Sequence, residues 1–286
     1  MFNLRIFLGL ALASTLQGCL YPEAPSTGVV SETIPTSLKG EWNKMTRYTH
    51  SIGVASKSRT SVPRKRSKNL LFIAADNQLG GKLQPELKKM YNRDVRLEDA
   101  LWWYYAPKIQ KTYNYVLRIH WDGFNAKSFD AALTEMEKLK TPYDVMLLVH
   151  GSPTRDIIAS PEQGLIGATE LAEFRGVQYA DTLYLQACFG DLLAQDLLDI
   201  GFQKVIASEG FSINLFFPDI YLDALSAKLG NTEKAHRSAV DHFETRFKWS
   251  PLYNKVVEKV FKDDPQIKGD PKLYLKYLKA PEIYYR

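Results

Sequence analysis

The chain contains few cysteines and no apolar run long enough to cross a bilayer. Two cysteines stand among 286 residues, which excludes a disulfide-rich scaffold and offers no cysteine cluster for zinc. A membrane-spanning helix needs ~20 apolar residues, and the uncharged apolar run at 6–16 is shorter. With 45% hydrophobic and 24% charged residues, the composition is that of a globular protein rather than of a multi-span membrane protein.

Motifs for nucleotides and metals are also missing. Gly80 and Gly81 lack the arrangement of lysine and hydroxyl residues that a phosphate-binding loop has. His236 and His242 are six positions apart on one predicted helix, a spacing that does not place two side chains on a shared helical face. The sequence therefore predicts that the protein uses no cofactor and no metal.

The positive charge is concentrated in one segment. The chain carries a formal charge of +5, and residues 57–68 hold six basic residues and no acidic one. Because the remainder is close to neutral, no broad basic face is expected, and nucleic acid is not an expected partner. We interpret residues 57–68 as a solvated run in a linker, able to lie near anionic lipid head groups.

The first residues have the pattern of a targeting segment. A short basic start, 1–5, precedes the apolar run 6–16, as in a secretory signal peptide. Leu16, Gln17, Gly18 and Cys19 resemble the lipobox of bacterial lipoproteins, which implies cleavage after residue 18 and acylation of Cys19. The alternative is a simple signal peptide with an incidental cysteine.

These segments predict three regions: a lipoprotein signal peptide at 1–18, a flexible tether with the basic run at 19–68, and a folded domain at 69–286. Residues 20–68 are rich in Ser, Thr, Pro and Gly, which is typical of a tether. The lipoprotein resemblance implies a lipid-anchored protein of the bacterial cell envelope. Leu20 follows Cys19 where aspartate would favour the inner membrane, so we expect the outer membrane, facing the periplasm.

Short apolar runs alternate with helical patterns after residue 68. Strands are predicted at 69–74, 115–119, 144–149, 182–185 and 204–207, and an apolar stripe from Phe129 to Leu139 predicts a helix. A second helix is predicted at 191–200, ended by Gly201. This alternation predicts an α/β fold in which a mostly parallel sheet is covered by helices on both faces.

Two of the predicted strands run into residues that are typical of nucleophilic catalysis. His150 and Gly151 follow the strand at 144–149, and Cys188 follows the strand at 182–185. Ligands of such sheets bind at the carboxyl ends of strands, and the intervening chain is long enough for a crossover between neighbouring parallel strands. An imidazole beside a thiol can take its proton and later protonate a leaving group.

Cys188 is the more ambiguous residue of the two. With Cys19 assigned to lipid, we expect Cys188 to be a single thiol, which is either buried and inert or retained for its reactivity. The predicted helix at 191–200 and free amides near Gly190 would favour the thiolate. The N–H groups of Gly151 and Cys188 are the candidate donors for an oxyanion.

The blocks ending in His150-Gly151 and Ala187-Cys188 resemble those of the caspase-like cysteine peptidases of clan CD. Phe189 and the shorter separation of the blocks make this chain more similar to legumain or clostripain relatives than to caspases proper. The resemblance implies a caspase-like three-layer sandwich and cleavage of a peptide or protein substrate, with Cys188 as nucleophile and His150 as base. Only these two blocks are specific.

Weaker similarities suggest residues that support catalysis or line a substrate pocket, namely Asp76, Asn77, Gln186, Ser208 and Glu209. An acidic group at Asp76 or Glu209 would suit a Lys or Arg side chain before the cleaved bond. Two alternatives to a peptidase stay open: a transpeptidase that uses the same thioester, and a catalytically inactive interaction protein that keeps only the fold.

Overall fold

The computed structural model describes residues 68–74, 97–119, 124–158, 164–209, 216–247, 249–251 and 279–286. The strands within these ranges are β1 (Asn69–Ala74), β2 (Val116–Ile119), β3 (Tyr143–Leu148), β4 (His150–Ser152), β5 (Asp156–Ile158), β6 (Leu165–Gly167), β7 (Ala180–Gln186), β8 (Lys204–Ala207) and β9 (Glu282–Tyr285). Six of them form one sheet in the order β2-β1-β3-β7-β8-β9, parallel except for β9. The other three form a small antiparallel sheet, β4-β5-β6.

Helices lie on both faces of the large sheet. They are α1 (Leu97–Thr112), α2 (Ala126–Lys138), α3 (Ala168–Ala172), α4 (Ala194–Asp199), α5 (Phe216–Ala227) and α6 (Thr232–His242). Among the described helices, none has the length and apolar character that a membrane span requires.

The two faces of the sheet are covered by different helices. On one face, side chains of β1, β3, β7 and β8 join those of α2 and α4 in a single apolar core. On the other face, Trp102 of α1 packs on Phe72, with ring centroids 5.2 Å apart, and Tyr184 of β7 stacks on Tyr221 of α5. The architecture is therefore mixed α/β around a mostly parallel sheet, compatible with a three-layer sandwich.

Local sequence explains where α2 begins and which face it buries. Asn125 is the N-cap: its Oδ1 accepts from Ser128 N at 2.9 Å, and Ser128 Oγ accepts from Asn125 N at 2.9 Å. This reciprocal pair satisfies two amides that the first turn leaves without helical partners. Phe129 to Met136 supply the buried stripe, whereas Leu139, predicted to belong to it, forms the C-cap and is 41% exposed.

The predicted strands agree with five strands of the large sheet to within two residues. One helix was predicted at 191–200. The structure instead has a 3₁₀ turn, Gly190–Leu193, followed by the six-residue α4. Gly201 ends α4 with a φ of 125°, as predicted from its position.

A buried ion cluster joins the start of β1 to its neighbours. Lys68 Nζ donates to Asp144 Oδ1 at 3.2 Å and also pairs with Asp181, whose other oxygen accepts from Lys204 at 3.0 Å. Tyr113 OH donates to Asp144 Oδ2 at 3.0 Å. The Lys68 side chain is only 15% exposed, so Lys68 belongs to the folded unit and the expectation of a fully solvated basic run is wrong at this residue.

Burial and charge oppose each other in this cluster. Burial alone would lower the pKa of Lys68, but the carboxylates of Asp144 and Asp181 outweigh it and the net shift is upward. Burial raises the pKa of Asp144, and Lys68 offsets this only in part. The Asp144 carboxylate therefore depends on Lys68 to remain charged in the interior.

Replacing Lys68 by Met should lower the free energy of unfolding by ~3–5 kcal/mol, because it leaves a buried carboxylate without its cation. Since folding raises the pKa of Lys68, its contribution is full below the ordinary value of 10.5 and disappears as the pH rises through the higher folded value. Urea unfolding of Lys68→Met, with the exposed Lys138→Met as control, measures this. Equal, small effects of both substitutions would contradict the assignment.

Candidate active site at the carboxyl edge of the sheet

The pairing of β3 with β7 determines where His150 and Cys188 lie. The register shifts once between Tyr143 and Val145, and from Val145 to Leu148 each residue of β3 pairs with the residue of β7 38 positions later, as Leu148 does with Gln186. His150 and Cys188 have the same separation. Val149 N donates to Gln186 O at 2.9 Å, which continues the ladder one residue beyond β3. The register, continued past Leu148 and Gln186, therefore predicts matching positions for the histidine and the cysteine at the carboxyl edge of the sheet.

The alternation of side chains along β3 and β7 predicts the face on which the two residues lie. Leu185 and Ala187 belong to the core beneath α2 and α4, and Val149 packs against that core. Tyr184, on the opposite face, stacks on residues of α5. Successive side chains of a strand point to opposite faces. Continued past the strand ends, this alternation predicts that His150 and Cys188 lie on the α5 face with Tyr184.

Gly151 lies close to the segment that follows β7. A Cβ atom built on Gly151 would lie 1.9 Å from the carbonyl oxygen of Cys188 and 3.0 Å from the Cβ of Ala187. No side chain fits in that space, so glycine is required by the contact between the chain after β3 and the chain after β7. The sequence prediction that these two blocks meet is consistent with this contact.

A tight turn follows Cys188. Phe189 has a φ of 54°, in the left-handed region that residues other than glycine seldom adopt. A Cβ on Gly190 would lie 3.1 Å from Cδ2 of Leu185. The 3₁₀ turn and the short α4 that follow do not make the long regular helix expected at 191–200, so a helix dipole is a weaker argument for a thiolate here than the sequence indicated.

Both candidate side chains are largely buried. His150 is 7% exposed and Cys188 is 3% exposed. Within the described residues no cysteine is a free thiol, and the sulfur of Cys188 is disulfide-bonded in this structure. This differs from the expectation of a single thiol. Any chemistry at Cys188 therefore belongs to the reduced protein.

The candidate pocket residues have different surroundings. Gln186 is the last residue of β7, two positions before Cys188, and its Oε1 accepts from Tyr184 OH at 3.0 Å. The buried Ser208 accepts through its carbonyl from Asp191 N at 3.3 Å, which places it beside the turn after Cys188. Glu209 is exposed and pairs with Lys279 Nζ at 2.7 Å.

Three further predicted residues fall outside the described ranges, namely Asp76, Asn77 and the lipidation residue Cys19. In the part of the chain that the structure describes, no group of three or more His, Cys, Asp or Glu residues could hold a metal ion.

Sequence reasoning missed an ion pair next to the candidate site. Arg155, in the turn between β4 and β5, donates from Nη2 to Asp196 Oδ1 at 2.8 Å and to Oδ2 at 2.9 Å. Pro153 and Thr154 indicate a turn before Arg155. The pairing with Asp196 has no signal in the sequence, because it depends on how the hairpin folds over α4.

The fold and the site together define a mixed α/β protein with a histidine and a cysteine at the carboxyl edge of its parallel strands. No protein family, curated protein or solved structure to which the chain was compared matches it. The chemistry of the site is therefore argued from its own residues.

Gly151→Ala should destabilise the protein by ~1–3 kcal/mol and move the two segments apart, because its Cβ meets the backbone oxygen of Cys188. The matched control is Gly176→Ala, whose Cβ would meet only Ile200 O at 3.7 Å, an ordinary contact. Chemical denaturation of both variants measures the difference. If the two substitutions have the same small effect, the close contact at Gly151 does not exist in solution.

Proposed function

We propose that the protein is a caspase-like cysteine peptidase in which Cys188 is the nucleophile and His150 is the general base. The observation that supports this proposal is the register of β3 and β7 up to Leu148 and Gln186, from which matching positions for His150 and Cys188 are extrapolated. Ligands of parallel sheets bind at this edge. Histidine and cysteine side by side are the residue types that thiol-based acyl transfer requires.

In the proposed reaction, Cys188 Sγ attacks the carbonyl carbon of a peptide bond while His150 accepts the thiol proton. The N–H groups of Gly151 and Cys188 would donate to the resulting oxyanion. His150 then gives its proton to the departing amine, the C–N bond breaks, and a thioester on Cys188 remains. Water, deprotonated by His150, hydrolyses the thioester and releases the acid and the thiol.

Burial affects both the electrostatics of the proposed site and the access of a peptide to it. A charged imidazolium–thiolate pair is screened less by solvent in the interior than on the surface. With Cys188 only 3% exposed, a peptide reaches the sulfur only when neighbouring residues move. A chain in which they do not move would be the inactive interaction protein of the same fold, and that is the alternative which burial favours.

The proposed preference is for Lys or Arg before the cleaved bond. Glu209 follows β8, the strand next to β7, and already binds an ammonium group, that of Lys279, at 2.7 Å. Both side chains are exposed, so a substrate cation can compete for the carboxylate. Asp76, the other acidic candidate, lies outside the described residues.

We also propose that Cys19 carries the lipid that attaches the protein to the bacterial outer membrane, facing the periplasm. This rests on the lipobox resemblance of residues 16–19. A sulfur atom that is alkylated by lipid cannot also form a disulfide, so the proposal requires that Cys188, the other of the two cysteines, is a thiol in the lipidated protein. The mass of the N-terminal peptide from the purified full-length protein tests the proposal: a diacylglyceryl Cys19 is expected, and an unmodified Cys19 contradicts it.

The reduced protein should hydrolyse peptides and form a covalent adduct at Cys188 with peptide electrophiles. Cys188→Ala should abolish both, and His150→Ala should lower the rate by roughly 100-fold or more, as expected for loss of a general base. The exposed His242→Ala is the matched control and should retain full activity. The peptides and peptide electrophiles carry Lys, Arg or a neutral residue immediately before the bond that is cleaved or attacked.

Three results are decisive. Unreactive Cys188 in the reduced protein contradicts the proposed function and favours the interaction protein. Cleavage of neutral peptides as fast as basic ones rejects the preference for Lys or Arg but leaves the dyad intact. Diversion of product to an added primary amine, in place of water, identifies a transpeptidase.

A further inference from the structure

The hairpin that begins with His150 is attached to the helix that follows Cys188. β4 and β5 are joined by a three-residue loop ending in Arg155, which has a φ of 67°; a three-residue loop with its last residue in the left-handed region is a common hairpin form. From this turn the guanidinium reaches Asp196 in the first turn of α4.

The geometry of this pair is specific. Arg155 Nε donates to Asp196 Oδ2 at 3.1 Å, while Nη2 donates to Oδ1 at 2.8 Å and to Oδ2 at 2.9 Å. A planar guanidinium that binds both oxygens of a carboxylate restricts the relative orientation of the two groups as well as their distance. An ordinary lysine pair would restrict only the distance.

The turn that carries Arg155 is itself held by polar contacts. Thr154 N donates to Ser152 Oγ at 3.1 Å, and Thr154 Oγ1 donates to Asp156 Oδ2 at 2.7 Å. These contacts link the residues on either side of the loop. A displacement of Arg155 would therefore also displace β4, whose first residue is His150.

We propose that Arg155 and Asp196 are positioning residues that hold His150 beside Cys188. The inference rests on the proposed function, since it assigns the pair a role in the reactivity of that dyad. The arrangement supports it through two connections: the contact of Gly151 with the Cys188 carbonyl joins the segments at the site, and the ion pair joins them again at the far end of the hairpin.

The discriminating readout is the reactivity of Cys188, not stability. Arg155 is 50% exposed, and exposed ion pairs generally contribute little to the free energy of folding. If the ion pair is only a surface contact, its removal leaves the reactivity of Cys188 unchanged. A pair that positions His150 would change the fraction of thiolate at a given pH.

The experiment measures the rate at which iodoacetamide alkylates Cys188 in the reduced full chain, from pH 5 to 10, by mass spectrometry of the Cys188 peptide. In Arg155→Gln the pH midpoint should move towards that of His150→Ala, with the rate at neutral pH roughly three- to tenfold lower, as expected when less thiolate is present. Arg155→Lys should be intermediate, since it retains the charge without the fork. The double variant Arg155→Asp with Asp196→Arg should recover part of the lost rate.

The control is Lys138→Gln, which removes an exposed pair with Glu135 on α2 and should alkylate as the wild type does. If Arg155→Gln is alkylated at the wild-type rate while His150→Ala is alkylated more slowly, Arg155 does not position His150. The proposed dyad is then unaffected. If His150→Ala is alkylated at the wild-type rate, His150 does not activate Cys188. Both the proposed dyad and the positioning role of Arg155 are then rejected. If Arg155→Gln does not fold, the comparison of Arg155→Lys with the wild type decides in the same way.

Discussion

The parallel pairing of β3 with β7 is the constraint on which the candidate site depends. Backbone hydrogen bonds fix the register of the two strands, and a shift of one residue would send a side chain to the other face of the sheet. Buried side chains on both faces prevent such a shift, because it would exchange the contacts of Leu147 and Leu185 in one core with those of Met146 and Tyr184 in the other. The predicted alignment of His150 with Cys188 rests on this register.

The amino and carboxyl ends of the strands have different roles. At the amino ends, Lys68, Asp144 and Asp181 form a buried ion cluster in which every charge has a partner of opposite sign. At the carboxyl ends, the backbone of Gly151 lies against Cys188, and polar side chains such as Gln186 collect. The ion cluster therefore stabilises the amino ends of the strands, whereas the carboxyl ends carry the residue types that the proposed reaction requires.

The five parallel strands of the large sheet were predictable because each is a short, largely buried apolar run, such as Asn69–Ala74. The antiparallel β9 was not predicted, and its side chains are partly or fully exposed. β4 to β6 were not, since three-residue strands such as His150–Ser152 are too short for a period-two pattern. The location of the candidate pair was predictable from the strand ends. The disulfide at Cys188, the ion pair of Arg155 with Asp196 and the burial of Lys68 depend on tertiary packing that no local pattern reports.

The most direct measurement of the central claim, that His150 and Cys188 are neighbours, is an engineered cross-link. In the variant His150→Cys, in a Cys19→Ser background, mild oxidation should join residues 150 and 188, because adjacent strands lie ~5 Å apart, within the Cα separation that a disulfide accepts. Non-reducing peptide mapping detects the bond. A His150→Cys variant whose two thiols both remain free under conditions that oxidise exposed thiol pairs would contradict the register and the site built on it.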